Sequence, residues 1–401
     1  MISVGIDVSK GKSTVCFMKP YGETLHRPFE VKHTESDLKH LVNQIKTLTE
    51  EARVVMESTG AYHFPVLTYL KEHGIFVTVV NPLVMHKYVN VAIRKGKTDK
   101  LDAIKIANFG LDHWFHLVDY TPTADVYDEL KTLNRQYLNY LSMRIQAKLT
   151  LTNLLDRTMS GIKTLLWNRS DAPERDKLCH FVNEYWHFDS ITCMPEDQFI
   201  DNYNEWAKSK GYRASTKKAK KIYALALDGI PTLSSNTPST KMLVKEAVKV
   251  LQMIDTTLVS ILARMRELAK SLKEYEVVMS MPGVGEILGP RLIAEIGDVR
   301  RFHSAGALIA FAGLDAPPFQ SGNFTGTKRS ISKRGSSSLR KTGYEIMTYI
   351  KIHKPSEDNA VYLYMLKKET EGKPKKVAKI AALNKFLRIY YARVKEIYAE
   401  T

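Results

Sequence analysis

Four acidic residues near the N-terminus stand in settings from which they could share one reaction centre. Asp7 lies in Ile2-Ser3-Val4-Gly5-Ile6-Asp7-Val8-Ser9-Lys10, and Glu57 closes Arg53-Val54-Val55-Met56-Glu57. Asp99 and Asp102 lie in Lys97-Thr98-Asp99-Lys100-Leu101-Asp102-Ala103. The first two stand at or near the ends of short β-branched runs, the mark of buried strands. The last two are three apart in a helical stretch and therefore share a face. Carboxylates brought together repel one another unless a cation sits between them. An all-oxygen donor set suits a small hard cation, magnesium or manganese. The chemistry expected is metal-assisted phosphoryl transfer, whereas Glu35, Asp37 and Asp112 read as surface charges.

The elements that must position these acids follow from periodicity. Residues 2–8 and 13–18 read as strands joined by a Lys/Gly turn, with a third strand over 24–31. Leu38, Leu41, Val42, Ile45 and Leu48 mark a helix over 35–48. Strand 52–56, helix 63–73 ended by Gly74, and strand 75–80 stopped by Asn81-Pro82 come next. The helix of Asp99 and Asp102 follows, with Ile104, Ala107 and Leu111 on its apolar side. Antiparallel strands followed by alternating helix and strand predict a ribonuclease-H-like (RuvC-like) α/β domain over 1–115.

Charge indicates the partner. The chain of 401 residues carries 59 Lys and Arg against 43 Asp and Glu, net +16, with a pI near 9.4. The excess is small over 1–115, 15 bases against 12 acids, and large over 280–401, 21 bases against 11 acids. A polyanion such as DNA is the expected ligand, with the gripping surface mostly C-terminal. No apolar run approaches the length of a membrane span, and no leader is expected. Cys16, Cys179 and Cys193 lack paired spacing, so the reading is a reduced cytoplasm and no zinc.

Residues 116–280 read as a helical arm. Leu130, Leu133, Tyr137, Leu141, Ile145, Leu149, Thr152 and Leu155 recur three or four apart within 124–157, and residues 243–272 repeat the pattern. Two such helices are expected to pair as antiparallel arms of a coiled coil and to offer a dimerisation surface. An insert at 169–240 interrupts them. Its first part is rich in aromatics. Its second carries Lys208, Lys210, Arg213, Lys217, Lys218, Lys220 and Lys221 with no acid, either a nucleic-acid grip or a solvated face.

Residues 281–401 form the last expected unit, mostly helical. Met281-Pro282-Gly283-Val284-Gly285 before a helix resembles the turn of a helix-hairpin-helix element. There, backbone N–H groups such as those of Gly283 and Gly285 meet a DNA phosphate without reading sequence. A Gly/Ser-rich stretch then holds Ser321 in Pro317-Pro318-Phe319-Gln320-Ser321-Gly322, followed by Lys328, Arg329, Lys333, Arg334 and Arg340. Such a cationic, donor-rich loop suits wrapping a phosphate.

In this order the motifs resemble a known family. Gly-Ile-Asp-Val-Ser-Lys, Met-Glu-Ser-Thr-Gly-Ala-Tyr, Val-Asn-Pro and Lys-Thr-Asp-Lys-Leu-Asp-Ala are similar to the RuvC-like half of the DEDD transposases of insertion sequences. Pro-Gly-Val-Gly, Phe-Ala-Gly-Leu and Ile-Ser-Lys-Arg-Gly-Ser-Ser-Ser-Leu-Arg look like their second domain. These proteins are also called bridge-RNA-guided recombinases. The resemblance implies that Asp7, Glu57, Asp99 and Asp102 bind Mg2+ or Mn2+, and that Ser321 is the nucleophile of DNA cutting and rejoining. It also implies a structured RNA pairing with donor and target DNA, and a homodimer or homotetramer. Two departures stand out: Ala316 occupies a position usually held by Pro, and the 169–240 insert exceeds the short hairpin of compact members. Two other classes fit parts of the pattern. A metal-dependent junction endonuclease would need no covalent intermediate. A sugar-kinase-like ATPase would share the first hairpin, but it would leave the basic C-terminal part unexplained.

Overall fold

The computed structural model describes residues 1–401 except 59, 90–97, 122–124, 167–175, 318–319, 322–323, 326–329, 356–358 and 400–401. The chain forms two units, Met1–Pro122 and Thr123–Thr401. The first is a five-stranded mixed sheet in the order β3-β2-β1-β4-β5. Its strands are β1 (Ile2–Ser9), β2 (Lys12–Met18), β3 (Thr24–Lys32), β4 (Ala52–Glu57) and β5 (Val77–Val80). The first three form an antiparallel meander, and β4 and β5 run parallel to β1. This is the ribonuclease-H-like, RuvC-like arrangement expected from the order of strands and helices.

Period-two alternation sorts the sheet into two faces. Ile2, Val4 and Ile6 of β1, Val15 and Phe17 of β2, and Val54 and Met56 of β4 join one core. Leu38, Leu41, Val42 and Ile45 of α1 (Glu35–Lys46) cover it, together with Val66, Leu67 and Leu70 of α2 (Phe64–Glu72). The opposite face carries Ser3, Gly5, Asp7, Val55 and Glu57. It receives α3 (Pro82–Val89) through Met85 and α4 (Asp99–Asp112) through Ala103, Ile106, Ala107 and Phe109. Small residues let α4 lie close to the sheet. A Cβ on Gly5 would stand 2.3 Å from the Ala103 carbonyl oxygen and 2.4 Å from the Ala107 nitrogen. A Cβ on Gly110 would stand 2.2 Å from Ser3 Oγ.

Among the described residues, the regular structure of the second unit is helical apart from one short hairpin. The long helices α5 (Asp125–Thr158) and α11 (Pro238–Lys270) pack along each other. Arg264 binds Glu129, and Arg144 binds the buried Asp255, a pairing that sets the two helices antiparallel. Residues 233–240 are rich in Ser, Thr and Pro, a composition expected of a loop, yet α11 begins within them at Pro238, because proline suits the first helical position. Between them lie α6 (Ile162–Leu166), α7 (Lys177–Glu184), α8 (Asp189–Thr192), α9 (Glu196–Ser209) and α10 (Thr216–Asp228). These enclose a core of their own around Phe181, Phe188, Phe199 and Tyr203, which also takes in Leu151 and Leu155 of α5 and Val244, Val248 and Leu251 of α11.

The other ends of α5 and α11 join a separate core. It is completed by α12 (Tyr275–Met279), α13 (Leu288–Ile296), α14 (Ala305–Phe311), α15 (Ser337–His353), α16 (Ala360–Thr370) and α17 (Lys375–Ala399). The hairpin β6 (Gln320–Ser321) and β7 (Phe324–Thr325) lies between α14 and α15. The buried carboxylate of Glu274 accepts from Tyr127 at 2.7 Å and Tyr398 at 2.5 Å, tying the start of α5 to the end of α17. Burial, reinforced by this carboxylate, pushes the Tyr127 hydroxyl far above its ordinary pKa.

Gly5→Ala tests the closeness of α4. It should destabilise the first unit by about 1–3 kcal/mol, the usual cost of overpacking, read as a lower denaturant midpoint. Gly11→Ala serves as a control: there a Cβ meets nothing within 4 Å, although its φ of +77° adds a backbone cost.

Candidate active site and phosphate-binding loop

Three elements bring the four acids to one end of the sheet. In the β1–β4 ladder Ile6 stands opposite Met56, so Asp7 and Glu57 are the next residues along two adjacent parallel strands. Both lie on the face covered by α4. That helix runs opposite to β1: Gly110 lies over Ser3, and Ala107 and Ala103 over Gly5. Continuing the same course sets its first turn, Asp99 to Asp102, toward Asp7. Lys12, the first residue of β2, has its pKa raised chiefly by Glu30 and additionally by the charge of Asp99, which is consistent with Asp99 lying toward that end of the sheet.

The local reasons for these positions are plain. Thr98 caps α4 by accepting from the Leu101 N–H. Acids in the first turn also suit the positive end of the helix dipole, so Asp99 and Asp102 have a structural role whatever their chemistry. Asp102 pairs with Lys105 at 2.9 Å, on the same helix. Asp7, Glu57 and Asp102 are half-buried and Asp99 is exposed. The donor chemistry of these residues fits a hard divalent cation. Among the described residues, no three such side chains stand round a common point as a ready-made metal cage.

The second candidate region lies around Ser321, which pairs with Phe324 in the β6–β7 hairpin. Gly322, Lys328 and Arg329 lie outside the described residues. The flanks of this loop are clasped. The Ser332 N–H donates to the Asp315 carbonyl at 2.7 Å, the Lys333 N–H to Gly313 at 3.0 Å and the Ser336 N–H to Phe311 at 2.7 Å. The Ser332 hydroxyl donates to the Asp315 carboxylate at 2.5 Å. The two backbones approach so closely that a Cβ on Gly335 would stand 2.0 Å from the Phe311 carbonyl oxygen. Ser336 caps α15 by accepting from the Leu339 N–H, and its hydroxyl donates to the buried Glu295 at 2.9 Å. Glu295 in turn accepts from Asn134 of α5 at 2.8 Å.

The basic residues of this region divide. Lys333 and Arg334 are exposed. Arg340 donates through Nη1 to the carbonyls of Ala312 and Gly335, so part of its guanidinium holds the clasp. The two glycines of the Pro-Gly-Val-Gly turn also differ. Gly283 has φ +78°, and a Cβ there would stand 2.5 Å from Ile350 Cγ1, so the turn is packed against α15. Gly285 is open to its surroundings. The sequence reading did not single out Asp315, Glu295 or the Gly313–Gly335 approach. The available signal was a glycine in each of the Phe-Ala-Gly-Leu and Lys-Arg-Gly motifs.

Comparison with known proteins follows the same division. Residues 4–160 match a model for DEDD transposases of the IS110 type, and residues 275–362 one described as transposase IS116/IS110/IS902 family. The insertion element IS116 uncharacterized 44.8 kDa protein of Streptomyces clavuligerus is 27% identical over 374 residues, 92% of this chain and 89% of that protein. The pilin gene-inverting protein of Moraxella lacunata is 24% identical over 395 residues, 98% of this chain and 95% of its own. Among solved structures, Thermus thermophilus RuvC aligns with a TM-score of 0.23 and 14% identity, covering 29% of this chain and 96% of RuvC.

Gly335→Ala should open the clasp, seen as faster amide hydrogen exchange at Ser332, Lys333 and Ser336. Ser336→Ala removes a helix cap and should cost about 1 kcal/mol of stability. Unchanged exchange in Gly335→Ala would show that the contact does not hold the loop.

Proposed function

The chain belongs to the IS116/IS110/IS902 family of transposases, enzymes that cut and rejoin DNA, and on that premise we propose that it exchanges DNA strands through a phosphoserine at Ser321. Asp7, Glu57, Asp99 and Asp102 hold Mg2+ or Mn2+ in this reading. The observation that supports it is the register that makes Asp7 and Glu57 neighbours on adjacent parallel strands, with acids in the first turn of α4, whose course over β1 leads toward that end of the sheet. A cation bound there supplies positive charge against the phosphate oxygens as negative charge builds on them.

The serine step conserves the phosphodiester energy. The Ser321 Oγ attacks phosphorus, an Oγ–P ester forms, and the P–O bond to the departing sugar hydroxyl breaks. The serine proton passes to solvent or a neighbouring base, and the leaving oxygen takes one up. A hydroxyl from another strand end reverses the step and frees the serine. The clasp at 311–315 and 332–336 supports this role, because it fixes both flanks of the loop. Exposed Lys333 and Arg334 supply charge for the phosphate backbone, as do Lys328 and Arg329 in the same stretch. Gly285 offers an open turn for a further phosphate contact, whereas Gly283 shapes that turn.

A structured guide RNA selecting donor and target DNA is part of the proposal, resting on the family resemblance and on the +16 charge. Exchange between two DNA sites needs at least two catalytic centres, so the enzyme acts as a homodimer or homotetramer. Exposed Met143, Ile145, Leu149, Val250 and Met253 on the paired long helices provide apolar surface for association.

Asp7→Asn, Glu57→Gln, Asp99→Asn and Asp102→Asn should each abolish exchange while leaving the melting temperature near that of the parent. Full activity in a chelator would sink the metal site. Ser321→Ala should bind DNA with unchanged affinity yet form no covalent adduct on a suicide substrate nicked near the cut site. The parent should yield a DNA-linked peptide containing residue 321. Cleavage without any adduct would favour a hydrolytic junction endonuclease, and a peptide mapping to Ser330–Ser338 would move the nucleophile. Purified protein should retain a structured RNA in preference to a random competitor.

A further inference from the structure

We propose that the basic edge of the helical module, where the end of α9 meets the start of α10, binds the phosphate backbone of duplex DNA without reading its sequence. Both family matches leave this segment out, since they cover 4–160 and 275–362. Lys208, Lys210, Arg213, Lys217, Lys220 and Lys221 are all exposed there. Among the described residues none of the six forms an ion pair, and 208–221 contains no acid.

The arrangement works against local stability. The first turn of α10 holds no acidic residue, yet Lys217 and Lys218 stand at its positive end. Lys217, Lys220 and Lys221 share one face at i, i+3 and i+4, where like charges repel. The turn is nonetheless held in shape. The Ser215 N–H donates to Asn204 Oδ1 at 3.0 Å, and the Tyr212 N–H to the Ala207 carbonyl at 2.7 Å. The concentrated charge is felt inside the module. The Lys177 pKa is lowered by burial and then by Lys218, and that of His180 by burial and then by Lys210. A rigid, uncompensated cationic edge gains stability when a polyanion lies against it.

Duplex DNA is the polyanion the chemistry favours. Single-stranded or looped RNA is gripped by stacking bases on exposed rings. The rings beside this edge are turned inward: Tyr212 is half-buried against Trp206 at 5.8 Å and bonds His180 through its hydroxyl. DNA is also the substrate of the family.

The test uses full-length protein carrying Lys208→Gln, Lys210→Gln, Lys217→Gln, Lys220→Gln and Lys221→Gln together. Binding to a long duplex is measured across a salt series, beside the same five positions changed to Arg. Each phosphate contact contributes roughly 0.9 to the slope of log affinity against log salt. The Gln variant should therefore show a slope shallower by up to about 4.5 and at least tenfold weaker binding near 0.1 M salt. The Arg variant should match the parent. An unchanged slope in a folded Gln variant overturns the proposal. So does a loss confined to structured RNA with duplex DNA unaffected, or an equal loss in both variants.

Discussion

The first unit depends on how closely one helix can approach one strand. Without side chains at Gly5 and Gly110, and with only methyl groups at Ala103 and Ala107, α4 lies almost against the sheet backbone. That contact decides where the helix begins relative to the strand ends, and hence how far Asp99 and Asp102 stand from Asp7 and Glu57. Acids on neighbouring strand ends and on a helix start repel one another if they converge, unless a cation compensates them. Apolar cores hold both sides of the sheet: α1 and α2 on one face, α3 and α4 on the other.

The second unit solves a different problem, the holding of an aperiodic Gly/Ser-rich loop. It does so with backbone hydrogen bonds across the loop flanks and with a buried carboxylate. Glu295 joins α13, the cap of α15 and Asn134 of α5 through two hydrogen bonds. Glu274 performs a comparable service for α5 and α17 through two tyrosines. Buried acids of this kind are retained only when their oxygens are satisfied, and their partners lie far away in sequence.

That distance explains what could be read from the chain and what could not. The strands and the order of helices were legible, because periodicity and caps are local signals. The long helices around Leu130 and Leu258 were legible for the same reason. The clasp was not, since its two halves, 311–315 and 332–336, have no periodicity and meet only in three dimensions. Arg340 reads as a free base among bases, yet its guanidinium bonds carbonyls at 312 and 335. Gly283 reads as a phosphate-binding glycine, yet a close neighbour, Ile350, requires it to lack a side chain. Motif and composition cannot distinguish a glycine exposed for a ligand from one compressed by a helix.

The paired helices α5 and α11 have a mechanical consequence. At 1.5 Å per residue a helix of 33 residues is about 50 Å long. One core covers the pair along Tyr127 to Tyr137 and Ile254 to Ala269, and a second takes over at Leu151 and Leu251, with Ala147 packed against both. Such a pair is a stiff rod carrying a folded load. The module is thus carried by the same two helices that build the larger core, so its direction follows theirs.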